Sequence, residues 1–238
     1  MKISCFAVGL AALLATGAAR ADVIFDNITG NPSQGTYVLG AGNIGSPLGN
    51  SFAVTAPATL TSVSLTLADA NGADGGYILV YLVPDAAGIP ASTGRVLANS
   101  KILLGSIFDS ALTGVVSTQI LITNQSVSAG TWWIELVNSA DTANGGNGVF
   151  SGAVWSYLLG NAGIGTAGQS FSYTNAANTA IVSDPNTKGP FRIMINANAA
   201  SQASVPEPVG MAVLGAALAG LGFARRRRCG RAGTRSDR

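Results

Sequence analysis

The chain has 238 residues, 47% of them hydrophobic and only 10% charged, with no histidine and two cysteines, Cys5 and Cys229. Without histidine there is no Ser-His-Asp triad, no His-ligated metal and no imidazole base. The formal charge of +2 hides a split: from Asp22 to Ser204 four bases face nine acids, net −5, so the basic surplus sits at the two ends and nucleic acid drops out as a partner.

In chain order, Met1-Lys2 gives a positive start and Ile3–Ala18 an uncharged, mostly apolar stretch. Ala19-Arg20-Ala21 then sets small residues, Ala19 and Ala21, at the −3 and −1 positions of a cleavage site before Asp22. Residues 1–21 therefore read as a secretory signal peptide, and residues 22–197 as an exported domain. Both cysteines fall in the terminal segments, so that domain holds no disulfide and no thiol chemistry. At roughly 180 residues it can still bury about 70% of the surface its unfolded chain exposes.

The domain contains no long amphipathic helix pattern. Short apolar or alternating runs recur between Gly, Asn, Pro and Asp turns. Val23–Phe25 and Ser51–Val54 are short strand candidates, with a linker over Gly40–Gly49 between them. Leu60–Leu67 sets Val63, Leu65 and Leu67 on one face and Ser62, Ser64 and Thr66 on the other. Tyr77–Val83 is apolar throughout, as a strand buried on both faces would be. Val96–Leu104, Val115–Ile122, Thr131–Val137, Val149–Tyr157, Ser170–Tyr173 and Phe191–Ala197 complete the set, and Asn198–Ser204 is a small polar tether. Many short strands at this spacing predict an all-β fold, a jelly-roll-like β-sandwich; no fixed internal period supports the alternative, a β-solenoid.

Few residues carry candidate chemistry. Asp69-Ala70-Asn71-Gly72-Ala73-Asp74-Gly75 places the oxygens of Asp69, Asn71 and Asp74 in one turn, as calcium loops do. It fails the EF-hand pattern, since Val80 stands where the bidentate acid belongs, and Asp, Asn and Gly are also what ordinary hairpin turns use. Asp141–Asn147 is a second loop of this kind. Calcium is the one cofactor in view. Gly163–Gly168 matches the GxGxxG string but runs on into a β pattern, so it reads as a loop.

Adjacent Trp132 and Trp133 must point to opposite faces of their strand. One belongs to the core; the other is a candidate stacking surface for a sugar ring, or core material as well. Glu135 is the only glutamate between Asp22 and Ser204 and shares a face with Trp133 and Val137. It is either an acid beside an aromatic platform or a solvent-facing charge. Glycoside hydrolysis needs two facing carboxyl groups, and no partner for Glu135 can be assigned. The domain is therefore read as non-catalytic, with a carbohydrate-acting enzyme built on Glu135 as the alternative.

Ser51–Val54, Leu60–Leu65, Gly76–Leu82, Val96–Ala98 and Ser128–Leu136 (Ser-Ala-Gly-Thr-Trp-Trp-Ile-Glu-Leu) occur in an order that resembles the "choice-of-anchor" domains. These are extracellular β-domains found beside several surface-anchoring tails, and the resemblance implies a β-sandwich outside the cell without naming a reaction.

The C-terminal segment is the most explicit part of the chain. Pro206-Glu207-Pro208 precedes an uncharged 16-residue run, Val209–Ala224, which ends at Arg225-Arg226-Arg227-Arg228. The prolines hold the chain extended, the apolar run partitions into lipid, and the arginines stay on the cytoplasmic side. At about 1.5 Å per residue the run spans roughly 24 Å, short of the ~30 Å hydrocarbon core, and its four glycines weaken it as a helix. A plain anchor is the alternative, but a short span suits a transient one. The order resembles the PEP-CTERM sorting signal, whose partner is an exosortase-type intramembrane transpeptidase of Gram-negative bacteria. The resemblance assigns 198–204 as linker, 205–228 as a sorting signal with a single transmembrane helix, and 229–238 as a cytoplasmic tail. It implies export, transient inner-membrane anchoring, and release to the cell surface or extracellular matrix, where exopolysaccharide is the candidate partner. A self-associating structural surface protein is a further alternative.

Overall fold

A computed structural model describes residues 21–39, 47–70, 72, 75–93, 96–158, 164–165, 170–173, 181–183 and 190–199. Ala19, Asn71, Asp74, the linker residues 40–46 and the sorting segment 205–228 lie outside the described residues. Among the described residues no helix is long and apolar enough to cross a membrane.

Alternating patterns become strands wherever one side can be buried, and they do so here almost end to end. The strands are β1 (Asp22–Asp26), β2 (Gly35–Val38), β3 (Leu48–Val54), β4 (Ala58–Asp69), β5 (Tyr77–Ala86), β6 (Ile89–Pro90), β7 (Ser92–Thr93), β8 (Val96–Leu97), β9 (Ile102–Phe108) and β10 (Ser117–Val127). They continue as β11 (Gly130–Asn138), β12 (Ala153–Tyr157), β13 (Ser170–Tyr173), β14 (Ile181–Ser183) and β15 (Ile193–Ala199). Two single 3-10 turns, Asp109–Ala111 and Thr142–Asn144, interrupt them.

Among the described residues the strands form two large antiparallel sheets and a small two-stranded one, β7 with β8. In the first, β4 is the spine: β10 pairs along one edge, while β15 and β12 share the other, with β1 beyond β15 and β2 beyond β12. In the second, the order is β14-β13-β3-β11-β5, and β9 and β6 both lie along the far edge of β5. Their facing sides bury one core. Val63, Leu65 and Leu67 of β4 meet Ile78, Val80 and Leu82 of β5 and Ile134 and Leu136 of β11 within it. Trp155 stacks on Phe191 there, ring centroids 4.5 Å apart and planes 8° from parallel. The fold is an all-β sandwich.

Several boundaries differ from those the sequence predicts. The run Val96–Leu104 is two strands, because Lys101 N donates to Ala98 O in a turn between β8 and β9. Val149–Tyr157 starts as a strand only at Ala153; Ser139 Oγ donates to Val149 O, and Asn138 binds both N and O of Ser151, so side chains take those backbone groups. Val115–Ile122 is displaced to Ser117–Val127, since Gln125, Ser126 and Val127 resume pairing with β4 after a register shift at Thr123-Asn124. The expected linker Gly40–Gly49 gives way to β3 at Leu48, and Asn198 and Ala199 of the expected tether belong to β15, which pairs with β4 through Ala199.

Candidate functional site

Of the residues with predicted chemistry, Trp133 and Glu135 lie on the outer face of the second sheet. Along β11, Ile134 and Leu136 enter the core between the sheets, which turns Trp133, Glu135 and Val137 outward. That outer face is itself covered. Leu79, Tyr81 and Val83 of β5, Trp133 and Val137 of β11, and Leu97 of β8 form a second apolar cluster. Its roof is the chain that returns after β5 together with the Thr142–Asn144 turn. Tyr81 OH donates to Asn144 O and Leu97 N donates to Asn144 Oδ1, each at 2.8 Å.

Glu135 lies in this layer, opposite Gly49 of β3 and Tyr81 of β5. It is 0% exposed, and neither carboxyl oxygen has a hydrogen-bond partner among the described residues. A carboxylate loses its hydration there and gains nothing in return, so burial pushes the carboxyl well above the usual range and holds it protonated. The solvent-facing alternative for Glu135 is corrected on this point. The shared face with Trp133 and Val137 is as the alternation indicates; its immersion is not. Gly49 makes the arrangement possible, because a side chain there would overlap the Glu135 carboxyl.

The two tryptophans divide as alternation requires. Trp133 is 1% exposed, its Nε1 donating to Asp85 Oδ1 at 2.8 Å, so its ring offers no face to a sugar. Asp85 also accepts from Gly88 N at 2.9 Å, which ties the indole to the β5–β6 hairpin. Trp132 is half-buried against the edge of the inter-sheet core, with Nε1 donating to Ser128 O at 3.0 Å. Of the pair, only Trp132 retains accessible ring surface.

Of the three residues of the first candidate calcium loop, Asp69 is described; it is buried at the end of β4, its N–H donating to Thr113 O at 2.9 Å. In the second loop, Asp141 is spent on structure. Its Oδ1 caps the turn by accepting from Ala143 N and Asn144 N, and its Oδ2 accepts from Asn144 Nδ2. Among the described residues no three His, Cys, Asp or Glu side chains gather as a metal site. Of the GxGxxG string, Gly165 is described: it has φ +88° beside the bridge of Ile164 to Asp26, and the next described element is a strand, β13.

Sequence reasoning missed the buried amides that fasten loops to the sheets. Asn138 uses its whole side chain: Nδ2 donates to Leu39 O and Ser151 O, and Oδ1 accepts from Ala140 N and Ser151 N. Asn27 donates to Phe191 O and accepts from Ile193 N, clamping the chain after β1 to the start of β15. A small cleft of about 260 Å³ lies at the other end, lined by Asp22, Ile24, Thr55, Pro57 and Ala199 among others, and neither Trp132 nor Glu135 borders it.

No family model matches the chain, and no curated protein does. Among solved structures, it is similar to the cysteine protease and lectin-like domains of Cwp84, a surface layer associated protein of Clostridium difficile, at 17% identity and a TM-score of 0.41. The match covers 71% of this chain and 37% of that one, so the chain spans well under half the length of that structure.

Proposed function

We propose that this is an exported, non-catalytic protein of the cell surface or extracellular matrix of a Gram-negative bacterium, sorted and processed by an exosortase-type enzyme. The observation that carries the proposal is the order Pro206-Glu207-Pro208, apolar run, Arg225–Arg228 behind a secretory start. On this view residues 1–21 are removed on export, the single apolar helix holds the chain in the inner membrane until processing, and a jelly-roll-like sandwich of the choice-of-anchor kind is delivered outside. The placement of Glu135 supports the absence of catalysis: a carboxyl sealed in an apolar layer is out of reach of a polysaccharide. Sparse charge, with many Ser, Thr and Asn side chains, suits numerous weak hydrogen bonds to hydrated exopolysaccharide. Trp132 is the ring left for stacking, and calcium at the Asp69 loop is an optional addition.

The test is processing in cells with and without the exosortase. The mature chain should lose its tail only when the enzyme is present, and Pro206→Ala with Pro208→Ala should leave the tail attached in both. Tail loss that is indifferent to the enzyme and to the prolines would sink the sorting assignment. Co-sedimentation with the host's exopolysaccharide, with and without chelator, tests the partner. Trp132→Ala is the informative variant, because truncating the buried Trp133 would cost about 3–5 kcal/mol of stability and report unfolding instead.

A further inference from the structure

Among the described residues, every sheet edge in the sandwich is blunted except one. β1 carries an aspartate at each end, β2 and β14 are four and three residues long, β6 contains Pro90, and β9 is interrupted by Gly105. Short length, charge, proline and irregularity are the usual means by which sheet edges avoid pairing with other chains. β10 is different. It runs eleven residues, Ser117–Val127, with no charged residue, no proline and no glycine. One edge is bonded to β4, and no other strand pairs with it among the described residues. On its outer side Ile120 is 61% and Ile122 79% exposed, where an edge strand of a solitary protein would ordinarily carry polar groups.

The sequence of β10 also fits itself. In an antiparallel pair, directly opposite residues share a face and their numbers sum to a constant. With a two-fold axis at Leu121, Ile120 lies opposite Ile122, Gln119 opposite Thr123, Thr118 opposite Asn124 and Ser117 opposite Gln125. Apolar meets apolar on the outer face, and amides and hydroxyls meet each other elsewhere. The register with β4 shifts between Ile122 and Gln125, yet exposed and half-buried positions keep alternating through Ser126, so the pattern continues past the shift. Electrostatics favours the same place. A domain with net charge −5 repels its copy over most approaches, but β10, β15 and β4 as far as Ala68 carry no charge.

We infer that β10 is a self-association edge: a second copy of this chain pairs antiparallel with it about Leu121, joining the two first sheets into one continuous sheet with an isologous interface. The inference rests on neither the sorting signal nor glycan binding.

The experiment uses the full chain with Cys5→Ser and Cys229→Ser, so that introduced thiols are the only ones. The parent should sediment as a dimer at micromolar concentration. The Ile120→Lys, Ile122→Lys double variant should be monomeric with the parent's circular dichroism spectrum, since both side chains are exposed in a single copy and the fold does not depend on them. Register is read by oxidation. Opposite residues lie about 4.5–5.5 Å apart at Cα, within the roughly 4.4–6.8 Å that a disulfide bridges. A copy of position 120 lies two residues further along from its own counterpart, out of that range. A mixture of Ile120→Cys and Ile122→Cys chains should therefore cross-link, and each alone should not. A parent monomeric at every concentration, a dimer indifferent to both lysines, or single variants that link as readily as the mixture would each overturn the inference.

Discussion

Replacing Glu135 with glutamine isolates a carboxyl group that burial holds in its neutral form. The carboxyl is fully buried with no hydrogen-bond partner among the described residues, and burial raises its folded-state pKa well above the unfolded value of about 4.3. Below that unfolded value both states are protonated, and the stability associated with the neutral acid is fully present. As pH rises, the unfolded chain releases a proton that the folded one keeps, so stability falls until the folded pKa is reached. One proton corresponds to about 1.4 kcal/mol per pH unit. Glutamine has nearly the same shape and no titration. The two proteins should therefore be similar near pH 4, and between pH 5 and the folded-state pKa the variant should gain about 1.4 kcal/mol over the wild type per unit. For a domain of this size that is roughly 3–6 °C in melting temperature per unit. Urea unfolding at pH 4, 5, 6 and 7 measures it, and the difference between the two proteins cancels every titrating group they share. A difference that stays flat across that range would mean that Glu135 is hydrated or paired, and the account of the second buried layer would fail with it.

Named contacts set four further outcomes. Gly49→Ala should destabilise the wild type, because the new methyl overlaps the Glu135 carboxyl, but be tolerated beside Glu135→Ala; a double-mutant cycle should show coupling of about 0.5–3 kcal/mol. Ala87, exposed in the β5–β6 turn with φ +59° before Gly88 at +87°, holds a left-handed conformation costly for alanine, so Ala87→Asn should raise stability by about 0.5–1 kcal/mol in thermal unfolding. Asn138→Ala should cost about 3 kcal/mol or more by chemical denaturation, since it strands four backbone groups at once. Tyr81→Phe removes only the bond to Asn144 O and should cost about 1 kcal/mol, with amide exchange at Leu97 accelerating as its roof loosens.

Much of this fold was legible because most strands bury one face, and a one-sided strand writes its alternation into the sequence. Val63, Leu65 and Leu67 were readable for that reason, and Tyr77–Val83 was readable as two-sided because it is apolar at every position. The second layer was only half legible. Once β5 is buried on both faces, its ladder neighbour β11 shares that cover, and Glu135 should have been placed under it by pairing alone. What hid this was the glutamate's ordinary preference for water, which Gly49 and an apolar roof override here. Ser64 and Thr66 misled in the opposite sense: their polar alternation suggests solvent, yet both are buried, Ser64 lying between Ile120 and Met194 and Thr66 beside Thr118. The loop-fastening roles of Asn27, Asn138 and Asn144 left no periodic trace, since each depends on a partner far along the chain or on a single turn.

The two sheets are unequal in a way that bears on how the protein meets its surroundings. The second sheet spends its outer face on itself, covering β5 and β11 with Leu97 and the Asn144 turn, and Glu135 and the Trp133 indole disappear into that layer. The first sheet acquires no such cover over β10, where Ile120 and Ile122 stand open beside an edge that no described strand pairs. Exposed branched side chains on an uncharged strand are an aggregation hazard in a solitary protein. In a protein whose copies assemble, the same strand is a specific contact, because setting Ile120 opposite Ile122 selects one register among several. With its polar groups closed in on one side and an edge left open on the other, the sandwich makes a second copy of the chain the first partner to test at β10.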